Sequence, residues 1–232
     1  MPFDARNSEL KIKNSAHSAA IIQDSITFDS PFSYDCGLKR LLDIVLILSS
    51  AVIVIPLIAI MALLVSLDGH LPFYMQKRVG RHGKTFKIIK IRTMVHNADQ
   101  ILKQHLTQNP ALKAEWDTTQ KLKNDIRITR LGRFLRITSL DELPQLYNVL
   151  TGSMSLVGPR PMMPSQRSLY LGASYYRLRP GITGLWQISD RNDCNFSDRA
   201  EYDTAYEKAL SFKTDAIILF RTIFVVFRGT GY

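Results

Sequence analysis

The 232-residue chain is poor in cysteine and poor in acid. Its two cysteines, Cys36 and Cys194, stand far apart, without the paired spacing that a zinc site or a disulfide framework needs. They read as free thiols in a reducing compartment. The five histidines, His17, His70, His82, His96 and His105, form no HExxH or His-x-x-x-His pair, so a transition-metal site has little support. Lysine and arginine total 30 against 20 aspartates and glutamates, a net charge of +10. The partner surface is therefore expected to be anionic: nucleic acid, phospholipid head groups or phosphorylated small molecules. No recognition helix or aromatic platform of a nucleic-acid reader is evident, which removes nucleic acid from the expected partners. Residues 1–36 lack apolar periodicity beyond Ala19-Ala20-Ile21-Ile22 and are rich in Ser, Asn and Asp, the composition of a mobile extension. They do not open like a secretory signal, because the apolar run starts near residue 41.

Acid is missing over one long interval. Between Glu142 and Asp190 no aspartate or glutamate occurs, while Arg160, Arg167, Arg177 and Arg179 do. On the other side, Lys121, Lys123, Arg127, Arg130, Arg133 and Arg136 have Asp125 as the only acid among them. The adjacent carboxylates of Ser139-Leu140-Asp141-Glu142-Leu143-Pro144-Gln145 thus stand in a field of guanidinium groups, where they can share a site with a phosphorylated molecule. Pro144 is tolerated in a first helical turn, so a helix is expected to begin at or near Asp141. Two readings stay open on these residues alone. In one, Asp141 is an N-cap and Glu142 a first-turn carboxylate favoured by the helix dipole. In the other, the helix start lowers the Asp141 pKa and favours phosphate nearby, making the aspartate an ionised nucleophile. Ser139 and Glu142 also fit a capping box, a start that Pro144 makes less comfortable.

Charge is absent altogether from 44–67, a run of 24 residues. At ~1.5 Å per residue this would cross a hydrocarbon core of roughly 30 Å. Pro56 sits near its middle, where it removes a backbone donor and favours a kink. Lys39 and Arg40 precede the run, and Lys77, Arg78, Arg81, Lys84, Lys87, Lys90 and Arg92 follow it without an acid among them. Positive flanks tend to stay cytoplasmic, which would bring both ends to one side as a helix-break-helix hairpin dipping into one leaflet. A straight span, in which proline is tolerated, stands about even with that hairpin. A core helix of a soluble protein is the weaker reading, because the apolar character goes nearly all the way round.

The remaining elements are short. Phe73–Arg78 and Thr85–Arg92 flank Gly80-Arg81-His82-Gly83 and read as a β-hairpin. Residues 97–123 read as helical with a break at Asn109-Pro110, 130–136 as a basic amphipathic helix, and 140–150 as another, ended by Gly152. Val157-Gly158-Pro159-Arg160-Pro161 and Arg179-Pro180-Gly181-Ile182-Thr183-Gly184 read as two rigid loops that each set an arginine beside proline, either as preorganised guanidinium groups or as ordinary turns with solvated arginines. A final helix near 214–227 is apolar, interrupted by Arg221 and too short to span, so it is core or interfacial.

The order of these motifs resembles the bacterial sugar transferase family, the monotopic phosphoglycosyl transferases that start glycan assembly on a polyprenyl phosphate. The likeness covers roughly residues 38–228. It is carried by Lys39-Arg40 with Asp43, the apolar run with Pro56, Gln76-Lys77-Arg78-Val79-Gly80, and Phe86-Lys87-Ile88-Ile89-Lys90-Ile91-Arg92-Thr93-Met94. Leu135-Arg136, the Asp141-Glu142 run, Asn148-Val149-Leu150, 154–161 and 180–187 continue it. The stretch 180–189 and the ending Arg228-Gly229-Thr230-Gly231-Tyr232 place the likeness nearest to transferases that begin exopolysaccharide repeats.

The resemblance implies an α+β, mainly α fold: a proline-broken re-entrant membrane helix hairpin at 37–70, then at 71–232 a small cytosolic catalytic domain with a β-hairpin and amphipathic interfacial helices. It implies that Asp141 attacks the β-phosphate of a UDP-sugar, releasing UMP, and that polyprenyl (undecaprenyl) phosphate then takes the sugar phosphate. Galactose or glucose 1-phosphate leads. Carried over position by position, Glu142 helps hold Mg²⁺, and Lys90, Arg92, Arg136, Arg160 and Arg179 surround the phosphates. The implied place is the cytoplasmic face of a bacterial inner membrane, in contact with inner-leaflet lipid, with homo-oligomerisation left open. Three departures stand out: Ile55 before Pro56 in place of a serine, Ile126 in place of a proline, which loosens a turn, and Asp190 in place of a glycine, which puts a role for Arg191 in doubt. Two other classes remain: a non-enzymatic basic scaffold on the membrane surface, and an ordinary nucleotide-sugar glycosyltransferase, disfavoured because no Asp-x-Asp occurs.

Overall fold

The computed structural model describes residues 34–119, 122, 124–189, 196 and 198–227. The expectations for 1–33, Asp190, Arg191, Cys194 and 228–232 lie outside the described residues, as does the side chain of Cys36. The long uncharged run forms helix α1, Lys39–Ser66, entered through a π-helical turn, Tyr34–Leu38. The helix carries Pro56 within it rather than ending there. It is long and apolar enough to cross a membrane, and its middle is bare, with Val52 82% exposed.

Both ends of α1 dock on the same body. Near the start, Ile47 packs in one cluster with Ile88, Val149 and Met154; near the end, Val65 packs with Ile91 and Leu135. Ile47 and Val65 would stand ~27 Å apart on a straight helix. Ile88 and Ile91 are only about 10 Å apart along an extended strand. Pro56 is midway between the two dockings, inside a continuous helix. Proline lacks the N–H for the i−4 bond and its ring crowds the preceding turn, so this is where the helix yields most readily.

The expected hairpin forms from β1, Phe73–Val79, and β2, Thr85–Ile91, antiparallel with Phe73 opposite Ile91 and Val79 opposite Thr85. Strand residues alternate between faces, so Lys90 lies on the same face as the buried Ile88. Helices α2, Ala98–Gln108, and α3, Pro110–Thr119, follow. Their break is fixed by Asn109, whose Oδ1 accepts from the amides of Ala111 (3.1 Å) and Leu112 (3.3 Å). Helix α4, Arg130–Ile137, is capped by Thr129 Oγ1, which accepts from Gly132 N at 2.9 Å. A 3₁₀ turn, Leu140–Gln145, leads into α5, Leu146–Leu150.

The reading of two rigid loops needs correction. The first keeps its loop form over 158–161, with only Val157 in a strand, while half of the second is a strand: β3, Ser155–Val157, and β4, Gly181–Thr183, pair in parallel, with Ser155 opposite Gly181 and Val157 opposite Thr183. Strands of three residues are too short to show alternation in sequence. What holds them is backbone proximity, since a Cβ on Gly158 would meet Arg179 O at 2.3 Å and one on Gly181 would meet Gly158 N at 2.1 Å. The chain continues through a 3₁₀ turn, Pro164–Leu169, and helices α6, Ser174–Arg177, α7, Leu185–Ser189, α8, Arg199–Lys208, and α9, Phe212–Phe227. Val157, Leu178, Tyr206, Leu210 and Ile218 form the core beneath β3, with Tyr34 from the root of α1 packed into it.

Candidate active site

The carboxylate pair is presented by a sharp change of direction after α4. Ser139 takes a left-handed conformation (φ 57°), and the chain then winds as a 3₁₀ turn against β2. The expected N-cap at Asp141 is therefore not observed: the cap position is Ser139, without a side-chain capping bond. The capping box does not form either. The Glu142 amide donates to Ser139 O (3.2 Å), while its carboxylate turns away to Lys90 and Arg160. Pro144 sits inside the tight turn, where its missing N–H costs little.

Asn148 sets the register of this turn against the hairpin. Its Nδ2 donates to Lys87 O (2.8 Å) and its Oδ1 accepts from Ile89 N (3.2 Å), so a buried amide clamps α5 onto β2 on either side of Ile88. Lys90, on the inward face, is thereby brought to the carboxylates: its Nζ lies 2.6 Å from Glu142 Oε1 and 3.8 Å from Asp141 Oδ2. Arg160 comes from the other side, carried by the β3–β4 backbone contact, and its Nη2 donates to the same Glu142 oxygen at 2.9 Å.

Arg136 is placed by close helix packing. A Cβ on Gly132 would meet Thr93 O at 2.0 Å, so only glycine lets α4 lie on the chain after β2; Arg136 Nε then donates to Thr93 Oγ1 at 2.9 Å. Arg78, which the sequence offers as part of a basic flank and of the Gln76–Gly80 motif without a site role, belongs to the site as well. It is half-buried beside Arg160, donating to Gln76 Oε1 (2.5 Å) and Pro161 O (3.1 Å). Arg78, Lys90, Glu142, Gln145 and Arg160 line an open recess, with Asp141 next to it rather than on its wall.

Arg92 and Arg179 are not among the residues lining that recess. Arg92 holds Asp68 with both terminal nitrogens (2.7 and 2.6 Å) and reaches Val65 O, closing the far end of α1. Arg179 offers its backbone carbonyl to the tight crossing at Gly158. Ile126 is exposed, and its turn is closed without proline by Asp125, which accepts from Arg127 N (3.0 Å), Nε (2.8 Å) and Nη2 (2.6 Å).

The electrostatics separate the two acids. Burial pushes the Asp141 carboxyl up and the Glu142 charge adds to it, while Lys90 and Arg136 oppose the rise without cancelling it. This reverses the expected lowering by a helix start, because desolvation outweighs the dipole of one short turn. Burial also opposes ionisation of Glu142, but Arg160 and Lys90 overcome it and hold that carboxyl well below its usual range. Arg78 is pushed down to about 10 by burial and by the like charge of Arg160. Arg78, Lys90, Arg136 and Arg160 outnumber the two carboxylates, so the site has room for a further anion. No cluster of three His, Cys, Asp or Glu that could hold a metal occurs among the described residues. Two adjacent carboxylates fit a hard, oxygen-seeking ion that takes its other ligands from phosphate and water.

A helix long and apolar enough to cross a membrane is thus rooted in a body where two adjacent carboxylates meet a surplus of cationic side chains. The chain belongs to the bacterial sugar transferase family, whose model it matches over residues 34–229. It is 48% identical over 196 residues to the UDP-galactose-lipid carrier transferase of Erwinia amylovora and 47% identical over 196 residues to the undecaprenyl-phosphate galactose phosphotransferase of Salmonella typhimurium. Each match takes in 84% of this chain and 41% of the relative, so the chain spans about two fifths of their length. The exopolysaccharide production protein ExoY of Sinorhizobium fredii is 44% identical over 83% of this chain and 87% of its own.

Proposed function

We propose that the chain transfers a hexose 1-phosphate from a UDP-sugar to polyprenyl phosphate, releasing UMP, by way of a covalent phosphosugar on Asp141, and so begins an exopolysaccharide repeat. The observation that carries this reading is the buried Asp141, 3.8 Å from Lys90 and adjacent to an ionised Glu142 that Lys90 and Arg160 both grip. The relatives named for UDP-galactose and for undecaprenyl phosphate support the two substrates, with galactose ahead of glucose.

In the first step an Asp141 oxygen bonds to the β-phosphorus and the bond to the bridging oxygen of UMP breaks. In the second, a phosphate oxygen of the polyprenyl phosphate bonds to the same phosphorus and the aspartyl oxygen leaves with its electron pair. Both nucleophiles are anions already, so neither step needs a proton removed. The barrier to be lowered is repulsion between anions, which fixed guanidinium and ammonium groups reduce at no reorganisation cost. Arg78 and Arg160 face the recess where the diphosphate would lie, Lys90 bridges both carboxylates, and Arg136 adds charge behind Asp141. Mg²⁺ would be held by Glu142 and would supply further neutralisation of phosphate charge.

The membrane geometry belongs to the same proposal. With both ends of α1 on one body, a bend at Pro56 lets the helix enter and leave the inner leaflet from the cytoplasmic side of a bacterial inner membrane. Cysteines introduced at positions 38 and 70 should then resist a membrane-impermeant label added outside intact cells; labelling of either one establishes a span. The chemistry is tested by incubating the purified protein with UDP-galactose labelled in its β-phosphate. Acid-stable peptide label at Asp141 and stoichiometric UMP before acceptor is added are the expected results. UMP appearing only with acceptor and no labelled protein refutes the covalent step, and UDP in place of UMP refutes the reaction class.

A further inference from the structure

We propose that the Tyr175 hydroxyl is a positioning group, which holds the Arg78 and Arg160 guanidinium groups at a fixed spacing before an anion arrives; this deepens the transfer reading above and rests on it. Tyr175 is not among the residues lining the recess. Its effect on a ligand therefore runs through the two arginines.

Arg78 directly precedes Val79, the last residue of β1, and Arg160 is followed by Pro161 and Met162. Val79 N donates to Met162 O at 3.0 Å, which ties the two segments by one direct backbone bond. The return path runs through the phenol: Met162 N donates to Tyr175 Oη at 3.1 Å, and that hydroxyl donates to Val79 O at 2.5 Å. One hydroxyl thus closes a ring of bonds between the backbones that carry the arginines. Val79, Met162 and Tyr175 are all buried, so bulk water does not compete for these bonds. Tyr175 is itself held from behind. The ring centres of Tyr170 and Tyr176 lie 5.4 and 5.5 Å from its own, Tyr170 donates to the buried Asp203 at 2.8 Å, and the hydroxyls of Ser174 and Thr204 bond at 3.1 Å. The phenol has a fixed anchor from which to set the spacing.

That spacing has to be imposed, because the two guanidinium groups repel. Arg78 donates to Gln76 Oε1 and Pro161 O, both neutral, and the like charge of Arg160 adds to burial in pushing its pKa down to about 10. Pro161 stands between Arg160 and Met162, so Arg78 leans on the same segment that the phenol holds. A phosphate between the cations would relieve their repulsion. Until one binds, the backbone withstands it, and any population that springs apart lowers the apparent affinity by the fraction lost. Removing the hydroxyl would leave the Val79 carbonyl and the Met162 amide unpaired in the interior, and the two segments free to separate.

Inorganic pyrophosphate with Mg²⁺ is the probe, titrated calorimetrically at a temperature where each variant is fully folded. Tyr175→Phe keeps the ring and removes the hydroxyl; it is expected to weaken pyrophosphate binding about tenfold, as a correctly spaced fraction reduced to roughly a tenth would. KM for UDP-galactose should rise by a similar factor, with kcat changed by less than about twofold. Unchanged pyrophosphate affinity in a variant that merely melts earlier makes the hydroxyl structural only and overturns the proposal, as does a wild type that binds no pyrophosphate. Thermal melting in an Arg160→Gln background is the second test. With the repulsion gone, the drop in melting temperature caused by Tyr175→Phe should be no more than about half of that in the wild-type background; an equal drop in both overturns the proposal. If Tyr175→Phe alone does not fold, the double variant is expected to fold, and its failure overturns the proposal too. Should the wild type release UMP from no UDP-sugar, the transfer reading fails, while the pyrophosphate and melting comparisons still decide the role of Tyr175.

Discussion

Two buried lysine–carboxylate clusters, one at the root of α1 and one at the recess, use the same chemical groups to opposite ends. At the root, Lys39 pairs with Asp215 and donates to the Tyr206 hydroxyl (3.1 Å), while Tyr34 (2.9 Å) and Tyr206 (2.7 Å) donate to Asp215. One turn along, Asp43 accepts from Ser155 Oγ (2.8 Å) and Leu156 N (3.1 Å). Lys39 answers Asp215 there, the second carboxylate is held by hydroxyl and amide donors, and the cluster carries no surplus of cations. At the recess, Glu142 is shared by Lys90 and Arg160, Asp141 is pushed up by burial, and cations exceed carboxylates. A satisfied pair fastens the membrane helix to the domain. An unbalanced one awaits an anion.

That contrast predicts mutations that separate activity from stability. The largest effect is expected for Asp141→Asn, whose amide cannot form the phosphosugar: turnover should fall by at least ~10³-fold with the melting temperature kept. Near-normal UMP release by that variant would end the covalent reading. Next is Asp215→Ala, which strands Lys39 in the interior and should cost about 3–5 kcal/mol of stability in denaturant titration, with activity falling only as the folded fraction falls. A variant as stable as wild type would show that the root cluster does not anchor α1.

Lys90→Gln should lower kcat/KM by up to ~10²-fold and also shift the pH profile. In the wild type, Lys90 opposes the rise of the Asp141 pKa. Its loss lets that pKa climb further, so the reactive carboxylate is lost at higher pH and the acid limb of the profile should move upward. An unmoved limb would mean that Lys90 acts on the phosphates alone. The smallest effect is expected for Asn148→Ala, which leaves the Lys87 carbonyl and Ile89 amide without their clamp and should cost about 1–3 kcal/mol. If the clamp also sets the register of Lys90, kcat should fall by more than the loss of folded protein explains; a purely proportional loss would make it structural only.

Much of this arrangement was legible along the chain because it depends on local periodicity. The 24 uncharged residues, the alternating hairpin, the Asn109-Pro110 break and the basic helix before the carboxylates all form where their patterns place them. The misses have one physical cause. Arg78 looks like any other flanking base until burial beside Arg160 shows its place, and the β3–β4 pair consists of strands too short for a period. Asp203 and Asp215 sit among ordinary helical residues and gain meaning only from Tyr170, Lys39 and the tyrosines that come to them from far along the chain.

The sequence by itself determined the charge surplus, the apolar segment with its proline, and the adjacent carboxylates, because each is a property of composition or of neighbours. Only the tertiary structure decided that both ends of the apolar helix share one body, that Lys90, Arg136 and Arg160 converge on the acids while Arg92 closes the helix end, and that burial pushes Asp141 up while Arg160 and Lys90 keep Glu142 ionised. Those outcomes depend on desolvation and on through-space distances between residues remote in the chain, and neither quantity exists until the backbone has closed.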